Sequence, residues 1–238
     1  MVIRSGKICV CVIVCFLIGV VKTEAQKAGY LKQKRISKYE VFGGFLALKP
    51  RSGMSDYQQP KYGYSFGVGG YHTFSERFQL NVRLSSDLKG NKTSQYVYQV
   101  SKVNGVTKTI DETRKTDSDF KYITITALPS FKLGTEKHFT VGGGAYYSFL
   151  QRATVNSSVT DNTTGITTFD SNSTQRNFKP RYEIGACAFV GYSIMMSEKI
   201  EITGQVMYSL GLTDERDFWN GSFRNNSIGF VLAVGVIN

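Results

Sequence analysis

From about residue 39 onward, apolar and polar residues alternate with a period of two. In "EKIEITGQVMYSLGLTD", residues 198–214, Ile202, Gly204, Val206, Tyr208, Leu210 and Leu212 share one face of a strand. Glu201, Thr203, Gln205, Met207, Ser209 and Gly211 share the other. Phe78, Leu80, Val82 and Leu84 likewise oppose Gln79, Asn81, Arg83, Ser85 and Asp87, and Ile228, Phe230, Leu232, Val234 and Val236 form an unbroken apolar row. No helical period of useful length appears. The pattern predicts eight strands, near 39–49, 62–74, 78–88, 119–133, 138–150, 180–195, 199–212 and 226–237. Most are longer than the roughly five or six residues usual in soluble sheets.

The connections are as informative as the strands. Three are tight and share a Ser/Thr-Glu-Arg/Lys pattern: Ser75-Glu76-Arg77, Gly134-Thr135-Glu136-Lys137 and Ser197-Glu198-Lys199. The other four, about 50–61, 89–118, 151–179 and 213–225, are long and rich in Asn, Ser, Thr, Asp, Lys and Gly. Short turns at one end and long loops at the other are the asymmetry of an outer-membrane barrel, with the turns periplasmic. Aromatic residues gather at the strand ends: Tyr62, Tyr64, Tyr147, Phe149 and Tyr182 towards the long loops, and Phe74, Phe78, Phe131, Phe139 and Tyr192 towards the short turns. Two such belts fit two membrane interfaces. The expected fold is all-β, an eight-stranded antiparallel up-and-down transmembrane β-barrel. Its apolar face meets lipid, and its closure satisfies every backbone donor and acceptor.

The first residues change the picture of where the chain works. Arg4 and Lys7 precede an apolar run from Ile8 to Val21 and the junction Thr23-Glu24-Ala25, which predicts a secretory signal over 1–25 cleaved after Ala25. A basic periplasmic lead-in, 26–38, and the barrel, 39–238, follow. Of four cysteines, Cys187 alone lies beyond the signal, so no internal disulfide forms, as suits a bacterial envelope protein. The processed chain carries a net charge of about +9, which suits anionic lipid or lipopolysaccharide phosphates. Export and the lack of any recognition motif exclude nucleic acid.

Four stretches carry a family resemblance: "EAQ" at 24–26, "LSSDLKG" at 84–90, "FKYITITALPSF" at 120–131 and "YSLGLTD" at 208–214. On them the chain resembles the PorT-like outer-membrane β-barrel domain proteins of Bacteroidetes, and more distantly the OmpA and OmpX barrels. The resemblance implies an integral outer-membrane protein. The chain departs from the group in the late position of Pro129, and it ends Val236-Ile237-Asn238 without the terminal aromatic that assembly machinery often reads in other outer-membrane proteins.

Candidate chemistry is sparse. Strand parity places Arg83, Lys132, Arg181, Glu183, Glu201 and Gln205 inside the barrel, with Gln79, Asn81 and several glycines. These form either a paired polar core or the lining of a narrow gated channel, since an eight-stranded barrel is just wide enough for side chains to fill. Both histidines, His72 and His138, fall beside short turns, so a hydrolase at the long-loop end lacks a base. No catalysis, metal or cofactor is expected. Loop 89–118 contains Tyr98 and the hairpin signal Asn104-Gly105, loop 151–179 a weaker version, and the last long loop Trp219. The first two of these loops could project as strands above the membrane, with edges able to add a partner strand, and together they suggest a surface or envelope protein partner. Lys89, Lys92, Lys102, Lys108, Arg114 and Lys115 are candidates for lipopolysaccharide phosphates. The expected role is structural or surface-interacting, as a monomer. A soluble lipocalin-like carrier of an apolar ligand is the reading in which the faces are reversed.

Overall fold

The computed structural model describes residues 37–48, 51–52, 58–103, 106–174, 182–213, 215–217 and 221–237. Among them eight strands make a wall: β1 (Ser37–Leu48), β2 (Lys61–Thr73), β3 (Phe78–Val103), β4 (Val106–Leu133), β5 (Phe139–Asp161), β6 (Tyr182–Met195), β7 (Ile200–Gly211) and β8 (Asn226–Ile237). Each pairs antiparallel with its neighbours in the chain, and β8 returns to pair with β1 from Lys38–Ile237 to Leu48–Ser227. The ring is closed, so the wall has no edge strand and its backbone groups bond to one another.

Alternation then sorts the side chains. Val206, Tyr208, Phe230 and Leu232 stand about half exposed on the outside, while Arg83, Glu183, Glu201, Thr203 and Gln205 are buried within. The apolar row therefore faces outward, and the reversed arrangement of a soluble carrier is set aside. Both aromatic belts form. Phe74, Phe78 and Phe131 stack in series, and Phe139 meets Tyr192, at the short-turn end. Tyr147 lies against Tyr182 at the other. Phe78 shares the outward face with Phe131 by register, yet it is buried because its two aromatic neighbours cover it.

The turn repeat has a physical basis. Ser75 Oγ accepts the amide of Phe78, and Ser197 Oγ accepts that of Ile200, so in both turns the hydroxyl three residues back closes the bend. The remaining turn has no such serine and bends through positive φ at Gly134 (82°) and Lys137 (57°). Lys137 Nζ donates to Glu76 at 2.8 Å, tying two turns together and holding that carboxyl below its usual range.

Three features go beyond the pattern of alternation. First, the strands do not stop at the wall: β3, β4 and β5 have 26, 28 and 23 residues and continue through 89–118 and 151–179, which project as strands. Second, the register of β4 on β5 slips where Lys121 faces Arg152 and Tyr122 faces Leu150. The extra residue reverses parity, so Ala153 and Val155 turn inward beneath Phe120 and Tyr122. Third, β1 begins at Ser37, so Lys38 belongs to the barrel and not to a solvated lead-in. The predicted signal and residues 26–36 lie outside the described residues.

Candidate functional site

The interior is a stack of charge pairs between apolar layers. At the short-turn end Lys38 Nζ meets Glu201 Oε1 at 2.8 Å, with Lys132 half-buried nearby. One layer up, Arg83 Nε donates to Glu40 Oε1 at 2.7 Å, and Glu40 also accepts from Asn81 Nδ2 and the Tyr71 hydroxyl. Towards the long loops Lys89 Nζ meets Glu183 at 2.9 Å, and Glu183 accepts further from the Tyr146 hydroxyl and from Asn225 Nδ2. Asp87 accepts from Ser65 Oγ at 2.6 Å. Buried ions need such partners, because desolvation of an unpaired charge outweighs what packing supplies.

Rings fill what the charges leave. Leu128, Tyr146, Cys187 and Phe189 form one cluster, Phe42, Val231 and Ala233 another, and Met207 touches both. The interior is thus less polar than parity implied. Glycines make room for it: a Cβ at Gly185 would overlap the Tyr146 ring, and one at Gly69 would stand 2.8 Å from Glu40 Oε1. Among the spaces left between them is a chamber of about 40 Å³ lined by Arg83, Asp87, Lys89, Thr124, Tyr146 and Cys187, among others. A few waters would fill it.

Above the wall the extended strands make a second structure. β3 pairs with β4 without a break to Val103–Val106, β4 with β5 to Glu112–Asp161, and Thr167–Thr174 returns along β5. The result is a four-stranded sheet standing beyond the barrel. Tyr96, Tyr98 and Val100 project from one face of it, Tyr98 at 61% exposure, and Phe169 is exposed at its far margin. Lys61 anchors the base, pairing with Asp117 and, at 2.8 Å, with Asp119. The turn into the fourth strand is held by Asp161 Oδ1, which accepts the amides of Thr163 (2.8 Å) and Thr164 (3.2 Å). Those two amides hold its carboxyl below the ordinary aspartate range.

Of the interior residues expected, Arg83, Glu183, Glu201 and Gln205 are buried inside and Lys132 is half-buried, while Arg181 lies outside the described residues. Asn104, Gly105 and Trp219 also lie outside them, and Tyr98 is on the projecting sheet. Lys89 is not a surface cation: it is buried against Glu183. Lys92, Lys102, Arg114 and Lys115 are exposed, with Arg114 held by Glu112 at 3.1 Å. Sequence reasoning missed Lys38, Glu40 and Asn225 as interior partners. His138 Nδ1 contacts Ser193 O at 3.0 Å at the short-turn end, far along the wall from the sheet. Among the described residues no group of His, Cys, Asp and Glu is arranged to hold a metal ion.

A closed ring of antiparallel strands with an apolar exterior and a charge-paired interior defines an outer-membrane β-barrel. The chain belongs to the outer membrane protein beta-barrel domain family, whose model matches residues 25–217. No curated protein matches it significantly. Solved structures similar to it include Ail, the attachment invasion locus protein of Yersinia pestis (11% identity, 87% of this chain and 100% of that one, TM-score 0.40). Others are OprG of Pseudomonas aeruginosa (11%, 86% and 97%, 0.42) and Neisserial surface protein A (14%, 82% and 96%, 0.39).

Proposed function

We propose that this outer-membrane barrel is a surface-interaction protein, which binds a macromolecular partner through the sheet beyond its long-loop end and carries out no catalysis. The observation that supports this is the length of β3, β4 and β5. Roughly 9–11 residues cross the lipid, and the 26, 28 and 23 residues present leave more than half of each strand to stand clear of it. In this reading the short turns and both strand termini, Ser37 and Ile237, are periplasmic, and the sheet is extracellular. Lipopolysaccharide phosphates are contacted by the exposed cations Lys92 and Lys115 near its base. Within the family the stretches 84–90, 120–131 and 208–214 favour a place near the PorT-like barrels of Bacteroidetes, with a signal removed after Ala25.

The test removes the projection and keeps the wall. Thr93 and Thr116 are paired, so replacing residues 94–115 with Asn-Gly should close a short hairpin at that point. The shortened barrel should still insert and still shift its gel mobility on boiling. Cells displaying it should lose most of their attachment, whether to one another or to coated surfaces. Attachment equal to that of the full chain would sink the reading.

A further inference from the structure

The projecting sheet has two margins. One, Thr167–Thr174, is short, and its register on β5 shifts between Val155 and Ser157. The other is β3 itself. Gln58–Gln59 pairs with it at Thr93 and Lys92, and from Ser94 to Val103 no described residue pairs with it on the side away from β4. Natural edges are usually guarded by charge, proline, glycine or a bulge. The stretch "SQYVYQVS", 94–101, has none of these residues, and its pairing with β4 is regular throughout. It is rich in Tyr and Val, the composition of a strand that adds another.

We infer that this edge takes the same edge of a second copy of the chain standing in a facing membrane. The inference rests on the surface-interaction reading above. β3 runs from a short turn outward to the tip, so two copies in one membrane present parallel edges, whereas copies in facing membranes present antiparallel ones. A twofold axis along parallel strands does not reproduce their slanted bonds without an offset of about 3.3 Å, one residue. An antiparallel pair has no such obstacle. Residues directly opposite each other both turn their N–H and C=O groups towards the partner or both away. Two copies of one strand therefore pair residues of the same parity, and the axis passes through a residue.

The cap fixes which one. An axis at Tyr98 would set Val103 of the second copy opposite Thr93, where Gln58 already pairs. An axis at Gln99 sets it opposite Gln95, beyond the Gln58 pairing, and gives a nine-residue pairing, residues 95–103, whose free side no described residue occupies. Gln99 then meets its own counterpart, Tyr98 meets Val100 and Tyr96 meets Lys102. Aromatic and β-branched residues come together, and no like charges oppose.

The experiment uses two dye-labelled populations of phosphatidylcholine vesicles carrying the full chain, followed by light scattering and by dye proximity. Wild-type vesicles should cluster with one another and not with bare vesicles. Gln99→Lys and Gln99→Glu should each cluster at least ten-fold more slowly alone, because the substituted charges face each other, and a mixture of the two should recover the wild-type rate. Unchanged mobility shifts on boiling show that both variants retain the barrel. Dispersed wild-type vesicles, clustering with bare vesicles, a variant that clusters alone, or a mixture that stays dispersed would each overturn the inference. If wild-type vesicles stay dispersed while deletion of 94–115 still abolishes cell attachment, the surface reading survives and the second copy is not the partner.

Discussion

Lys38 and Glu201 meet at 2.8 Å although 163 residues separate them, and the lysine reaches across β8 to do so. Its stem passes over Gly235, which pairs with both Glu40 and Glu201 and offers no side chain in the way. Lys38→Met leaves a buried carboxylate unpaired and is expected to destabilise the barrel by about 3 kcal/mol, measured by urea unfolding in detergent micelles. Lys38→Met with Glu201→Leu should recover most of that loss. Equal stability of the single variant and the wild type would mean the pair contributes nothing.

Gly185→Ala tests the fit of the ring beneath it. The added methyl meets the Tyr146 ring, whose hydroxyl holds Glu183. Overpacking of this kind costs about 1–3 kcal/mol, and the same unfolding assay should show it. Tyr146→Phe combined with Gly185→Ala should not relieve the loss, since the ring remains.

Leu232 faces lipid near mid-wall, and its neighbour Val231 is fully buried inside. Leu232→Arg should cost about 2–4 kcal/mol in a bilayer, whereas Leu232→Ile should cost little. Transfer of the arginine variant from bilayer to detergent should lessen the difference. A penalty of the same size in both would place that face elsewhere than in the membrane.

The Asp161 turn should depend on pH. Because its carboxyl titrates below the ordinary aspartate value in the folded chain, the support it gives is complete above pH about 4 and is lost as pH falls through the folded value. The amide resonances of Thr163 and Thr164 should move together with a midpoint below that of a free aspartate. Asp161→Asn should remove the transition.

Planar bilayers containing the barrel are expected to show no discrete conductance. The chamber of about 40 Å³ is lined by Arg83 and Lys89, whose charges are paired with Glu40 and Glu183, and by the rings of Phe42 and Tyr146. Regular steps that change with Arg83→Ala would revive the channel.

Parity carried the sequence reading a long way. Gln205 and Val206 differ by one position and fall on opposite faces, as alternation requires. Height and partner were not legible, because parity says which face a side chain takes and not what it meets across the lumen. Glu40 stands in an otherwise apolar stretch, and its partner Arg83 is 43 residues away in the chain, where alternation gives no hint of the pairing. Lys38 was hidden by the basic run before it, and Lys89 by the polar composition after it. The projecting sheet was half legible: Asn104-Gly105 promised a hairpin, and strands on both sides run up to that pair. The slip at Tyr122 and Leu150 left no mark, since one extra polar residue in a polar stretch is silent.

The pairing of β1 with β8 joins the two ends of the barrel sequence, Lys38 beside Ile237. The clasp of the ring is therefore the most non-local contact in it, yet the entropy of closing so long a span grows only with the logarithm of its length. Until the clasp shuts, two bare sheet margins face hydrocarbon. Insertion and closure must then be one event, and a chain halted before β8 has no stable resting place in the bilayer.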